Sequence, residues 1–78
     1  ASGRFMEVAT TCPGVQLYTA NFLEGVKGRG GISYKAYMAA CLETQYFPDA
    51  PNRAEFPSTL LRPGETFEES TIYRFGLA

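Results

Sequence analysis

The segment Thr66 to Phe75 (TFEESTIYRF) repeats with a period of two. It puts Phe67, Thr71, Tyr73 and Phe75 on one face and Thr66, Glu68, Ser70 and Arg74 on the other. That period follows the pleat of a β-strand; wound into a helix it would scatter its apolar side chains around the axis. A strand needs a sheet, and the rest of the chain supplies candidates. Arg4 to Thr11 (RFMEVATT) is rich in strand-favouring residues and stops at the turn pair Pro13-Gly14. From Val15 to Thr19 the pattern alternates, with Val15 and Leu17 on one side and Gln16 and Tyr18 on the other. Met38 to Tyr46 sends Cys41, Glu43 and Gln45 one way and Leu42 and Thr44 the other, and Leu60-Leu61 reads as a short strand running into Pro63-Gly64. No segment carries a helical period and no internal repeat is visible. The fold class is all-β, with about five strands forming part of an antiparallel β-sandwich.

The connections are as informative as the strands. Leu23 to Ser33 holds four glycines and two basic side chains and reads as a flexible surface loop. Its Gly28-Arg29-Gly30-Gly31 run lacks the strand-to-helix setting and the Gly-Lys-Ser/Thr ending that a phosphate-binding loop requires. Phe47 to Ser58 carries three prolines, which forbid regular pairing and stiffen the backbone. Both loops are long for a free-standing chain of 78 residues. A chain of this size buries only about 60% of its unfolded surface, and small scaffolds without staples are marginal. The expectation is a fragment of a larger sandwich.

Composition removes several function classes. Seven basic residues are scattered against eight acidic ones, giving a net charge of −1 and no footprint for nucleic acid. No run approaches the roughly 20 apolar residues of a membrane-spanning helix, and the start ASGRFMEV lacks the features of a signal peptide. The expected setting is cytoplasmic, without a membrane partner. Cys12 and Cys41 are too few for a disulfide framework and are read as reduced, Cys41 as a small buried hydrophobe. With no histidine in the chain two thiols make no zinc site, so neither a metal nor another cofactor is expected. Proton transfer, if any, falls to carboxylates, Tyr or Lys.

Five motifs in order then point to one family. Thr10-Thr11-Cys12-Pro13-Gly14-Val15-Gln16-Leu17-Tyr18-Thr19-Ala20-Asn21-Phe22, Cys41-Leu42-Glu43-Thr44-Gln45, Pro48-Asp49-Ala50-Pro51-Asn52, Phe56-Pro57 and Leu61-Arg62-Pro63-Gly64-Glu65 resemble, in order and spacing, the C-terminal part of aldose 1-epimerases (galactose mutarotases). The resemblance covers nearly all of residues 1–78. It implies a large antiparallel β-sandwich of the mutarotase type, with this chain as a C-terminal fragment of that domain. It also implies an activity, the interconversion of the α and β anomers of hexoses such as galactose and glucose.

By position, the resemblance makes Glu43 the base that takes the anomeric proton and Gln16 an amide that hydrogen-bonds the sugar. The histidine that serves the family as acid belongs to upstream segments. The expected partners are therefore a hexose and the upstream part of the same enzyme or a complementary chain, and the isolated chain is expected to be inactive. Departures from the family pattern include Ala20, where glycine is frequent, and Ala39-Ala40, where Gly-Phe is frequent.

From the residues themselves, a strand carboxylate is held by rigid backbone, and partial burial would make it a stronger base. An amide beside an aromatic, as Gln16 lies beside Tyr18, suits sugar recognition. The plainer readings are a solvated strand residue for Glu43 and a surface amide for Gln16. Phe5, Phe67, Tyr73 and Phe75 are read as core aromatics, Asp49 and Asn52 as turn formers bonding their own backbone, and Glu65, Glu68 and Glu69 as a solvated acidic edge. Two other functional classes fit the same residues: a non-catalytic carbohydrate-binding or regulatory module on this fold, and a structural fragment that pairs its strand edges with copies of itself.

Overall fold

In the structure, a computed structural model describing residues 1–78, four strands pair in two antiparallel ribbons. β1 (Arg4–Thr10) pairs with β4 (Thr71–Leu77), and β2 (Gly14–Tyr18) pairs with β3 (Cys41–Gln45). The β1–β4 register runs from Arg4 opposite Leu77 to Thr10 opposite Thr71, so the two ends of the sequence lie side by side. The β2–β3 register runs from Gly14 opposite Gln45 to Tyr18 opposite Cys41. The structure is all-β and antiparallel, as the period-two segments require.

Each ribbon has two unlike faces, because alternate residues point to opposite sides of the pleat. Paired residues of β2–β3 place Val15, Leu17, Leu42 and Thr44 on one face and Gln16, Glu43, Gln45, Tyr18 and Cys41 on the other. Paired residues of β1–β4 put Met6, Val8, Thr10, Thr71, Tyr73, Phe75 and Leu77 on one face, with Arg4 at its edge. The opposite face carries the Glu7–Arg74 ion pair and the Phe5 ring, which lies over Gly76 where a side chain would otherwise stand. The ribbons meet through side chains of their apolar faces: the Thr71 and Thr44 hydroxyls are 2.8 Å apart, and the Tyr73 hydroxyl donates to the Leu42 carbonyl at 3.2 Å.

Four expected elements differ, one of them the strand expected over Met38 to Tyr46, which is confined to Cys41–Gln45. Leu60 to Glu65 forms no strand: Pro63 can donate no ladder hydrogen bond, and Arg62–Glu65 closes instead as a turn, with the Glu65 amide donating to the Arg62 carbonyl at 3.1 Å. The last strand begins at Thr71 rather than Thr66, because no strand lies opposite residues 66–70 to pair with them. The glycine-rich segment is not a loose loop. Lys27 bridges Ser33, the Gly28 amide donates to Ile32 and the Tyr34 amide to Val26, so the segment folds back as a small hairpin. Its tip is a short 3₁₀ turn, Arg29–Gly31, where Gly30 and Gly31 take φ of 71° and 76° and therefore need to be glycine.

Only Ala20 and Ala50 are buried. Phe5, Phe67, Tyr73 and Phe75, expected in a core, are all exposed, Phe75 by 72%. Cys41 is exposed too, and both cysteines are free thiols. The radius of gyration is 17.0 Å, whereas a compact chain of this length would have about 11.5 Å. The apolar faces exist, but these 78 residues supply no layer to cover them.

Candidate active site

The site is built on the β2–β3 ribbon, whose register sets Gln16 directly opposite Glu43 on its polar face. Directly opposed residues of an antiparallel pair hold their Cβ atoms about 5 Å apart. An amide and a carboxylate thus stand as neighbours on one surface, although the residues lie far apart in sequence. Gln45 follows on the same face, opposite Gly14, and Tyr18 and Cys41 close the other end.

Aromatic rings bound this strip. The Phe47 ring lies across Gly14, so close that a Cβ at residue 14 would stand 2.8 Å from its nearest carbon. Phe47 in turn packs on Phe56, with ring centroids 5.1 Å apart, which ties the proline-rich loop to that end of the strip. The loop orders itself around Asp49. Its carboxylate accepts from the Asn52 amide at 2.6 Å and from Arg53 Nε at 3.1 Å, rather than from its own backbone as expected. At the opposite end the Tyr18 hydroxyl accepts from the Phe22 amide at 3.1 Å, which folds the Thr19–Phe22 turn back along its ring.

Glu43 is exposed and takes part in none of the chain's ion pairs or side-chain hydrogen bonds. The partial burial expected for a strand base is not provided by residues 1–78, because no second layer covers the polar face. Gln16 is likewise exposed, and its amide donates to the Leu17 carbonyl at 3.2 Å instead of to Glu43. The Glu43 carboxylate and the Gln16 side-chain carbonyl have no hydrogen-bond partner within the chain.

A second polar cluster, absent from the sequence reading, lies where the ribbons meet. The Glu69 carboxylate accepts from the Tyr46 hydroxyl at 2.7 Å and from the Thr11 hydroxyl at 2.5 Å. Glu69 is thus a half-buried clamp across the ends of β3 and β1, not part of a solvated acidic edge. The Thr11 hydrogen bond, then that from Tyr46, holds the Glu69 carboxyl below the ordinary glutamate range. The same bond to Glu69, followed by desolvation, holds the Tyr46 hydroxyl above the ordinary tyrosine range. Nothing local in the sequence announces this cluster, since its members are separated by 23 and 58 positions.

The family model for aldose 1-epimerase matches residues 1–74. The chain belongs to the aldose 1-epimerase family. It is 53% identical over 79 aligned residues to the galactose mutarotase of Homo sapiens, an alignment that takes in all of this chain and 23% of that protein. It is 40% identical over 72 residues to the aldose 1-epimerase of Escherichia coli (strain K12), covering 90% of this chain and 21% of that protein. The chain therefore spans under a quarter of the length of these curated relatives. Their names are those of isomerases, and the all-β antiparallel ribbons agree with the sandwich expected for the family. No helix of the chain is long and apolar enough to cross a membrane.

Proposed function

We propose that the complete polypeptide carrying these 78 residues interconverts the α and β anomers of hexoses such as galactose and glucose, with Glu43 as general base and Gln16 as a sugar-binding amide. The observation that carries this reading is the register of β2–β3, which sets Gln16 opposite Glu43 on a polar, aromatic-bounded face while the reverse face is apolar. The Glu43 carboxylate takes the proton from the anomeric hydroxyl, and that electron pair forms the C1 carbonyl as the C1–ring oxygen bond breaks. An acid protonates the departing ring oxygen. Rotation about C1–C2 and reclosure on the other face of the carbonyl give the second anomer, with both protons returned.

The resemblance assigns the acid to a histidine and the chain has none, so the acid comes from outside these residues. The same remainder of the polypeptide, or a complementary chain, covers the exposed apolar faces. Fifteen large hydrophobic side chains, among them Phe22, Phe75 and Leu77, lie open to solvent, which a protein surface of this size does not sustain alone. The free thiols Cys12 and Cys41 suit a reducing, cytoplasmic setting.

Two-dimensional NMR exchange between galactose anomers tests the assignment. In the complete polypeptide, Glu43→Gln lowers the exchange rate by about 10²- to 10⁴-fold, the usual contribution of a general base, while the fold persists. The 78-residue chain alone gives no exchange above its own Glu43→Gln control. Undiminished turnover by the complete Glu43→Gln polypeptide would remove Glu43 from the mechanism; hexose binding without exchange by the unaltered polypeptide would favour the non-catalytic module.

A further inference from the structure

β3 carries the candidate base, yet the Glu43 side chain has no partner of its own, so its position is set entirely by what holds the strand. On one side β3 is held by the backbone ladder to β2. On the other side no backbone hydrogen bond reaches it, and three side-chain ties to residues 69–73 do the work at alternate positions. Leu42 is tied to Tyr73, Thr44 to Thr71 and Tyr46 to Glu69. The two segments therefore run antiparallel past one another, tied at residues 42, 44 and 46.

The middle tie is a chain of hydroxyls whose direction follows from counting donors. The Thr10 hydroxyl donates to the Ser70 carbonyl at 3.1 Å and accepts from the Cys12 amide at 3.0 Å. Its remaining lone pair accepts from Thr71 at 3.0 Å, which commits the Thr71 proton to Thr10. Thr71 is left as the acceptor for the Thr44 hydroxyl at 2.8 Å. Thr44 donates to Thr71, Thr71 to Thr10 and Thr10 to the backbone, with all three half-buried.

We propose that Thr71 is a positioning residue for the epimerase reaction: its hydroxyl joins β3 to β4 and β1 and so fixes the carboxylate of Glu43, the residue preceding Thr44, against the sugar. Neighbouring strand residues point to opposite faces, so a hydroxyl anchored inward at Thr44 aims Glu43 outward. A reactive group must be held within about 0.5 Å of its productive place, and looseness of the order of an ångström costs about a hundredfold. The inference rests on the epimerase reading above.

The test is steady-state anomer exchange in the complete polypeptide, comparing Thr71→Val with Thr71→Ser. Rates are counted per hexose-binding site so that a partly unfolded sample is not mistaken for a slow enzyme. Thr71→Val keeps shape but removes the hydroxyl; kcat falls about 10- to 100-fold while KM stays within about twofold. Thr71→Ser, which restores the hydroxyl, recovers most of the rate. If Thr71→Val does not fold, Thr44→Val, which removes the hydroxyl that donates to Thr71, is read the same way. A variant that melts earlier yet keeps its kcat per site would overturn the proposal, as would a serine variant no faster than valine. Absence of exchange in the unaltered polypeptide would instead sink the epimerase reading itself.

Discussion

At the scale of single residues, Ala20 and Glu69 show how one position can be decided by opposing effects. Ala20 is 2% exposed, sits at φ 58°, and its carbonyl accepts from both Leu23 and Tyr37. A left-handed conformation costs an alanine roughly 1–2 kcal/mol, which accounts for glycine as the natural alternative there. Against that, the buried methyl contributes about 0.8 kcal/mol and alanine restricts the unfolded chain by about 0.4–1 kcal/mol. These nearly cancel, so Ala20→Gly in the complete polypeptide shifts urea-unfolding stability by less than about 0.5 kcal/mol, whereas Ala20→Val, branched and without room, loses at least about 2 kcal/mol. Glu69 is governed by charge. Its carboxyl is depressed below 4.5, so its bonds from Thr11 and Tyr46 stabilise the fold above that pH and are lost as pH falls through the depressed value. Tyr46 is raised above 10.0, so its share holds below that pH and is lost as pH rises through the raised value. Carbon-13 NMR titration of the complete polypeptide gives a Glu69 midpoint below 4.5 and a Tyr46 midpoint above 10.0, and in Glu69→Gln the Tyr46 midpoint moves back toward 10.0.

At the scale of elements, the β2–β3 hairpin and the proline-rich loop form one unit. Gly14 has no left-handed backbone to justify it; the Phe47 ring occupies the space a side chain would take. Gly14→Ala forces that ring aside and, through Phe56, the loop with it. The expected result is a stability loss of about 1–3 kcal/mol by urea unfolding, together with a raised KM for galactose, since the displaced ring bounds the strip proposed to bind sugar. The faces of this hairpin were legible beforehand: alternation placed Gln16 and Tyr18 together, and Cys41, Glu43 and Gln45 together. Which residue stands opposite which was not, because register depends on pairing across a long connection that carries no local signal. The shortening of the last strand has a similar origin, since Thr66–Ser70 alternates well but meets no partner strand.

For the whole molecule, the decisive quantity is the missing core. Two buried alanines and a radius of gyration of 17.0 Å describe ribbons with nothing packed on their apolar faces. The isolated 78-residue chain accordingly unfolds without a cooperative transition, binds a hydrophobic dye and self-associates in sedimentation. In a polypeptide that supplies the covering layer proposed above, the same residues unfold cooperatively and the dye signal disappears. A cooperative, monomeric, dye-silent 78-residue chain would contradict this.

Sequence alone determined the all-β class and the two-faced character of each strand, and motif order singled out Glu43 and Gln16 as candidates, because period-two patterning and motif order are local and survive without a partner. Tertiary structure decided the rest. Which side chains lock β3 to β4, that Glu69 is a clamp instead of a solvated charge, and that Phe75 and Cys41 are exposed all depend on groups brought together from distant positions, or on a layer that these residues do not provide. Periodicity states which face is apolar; only packing states what, if anything, covers it.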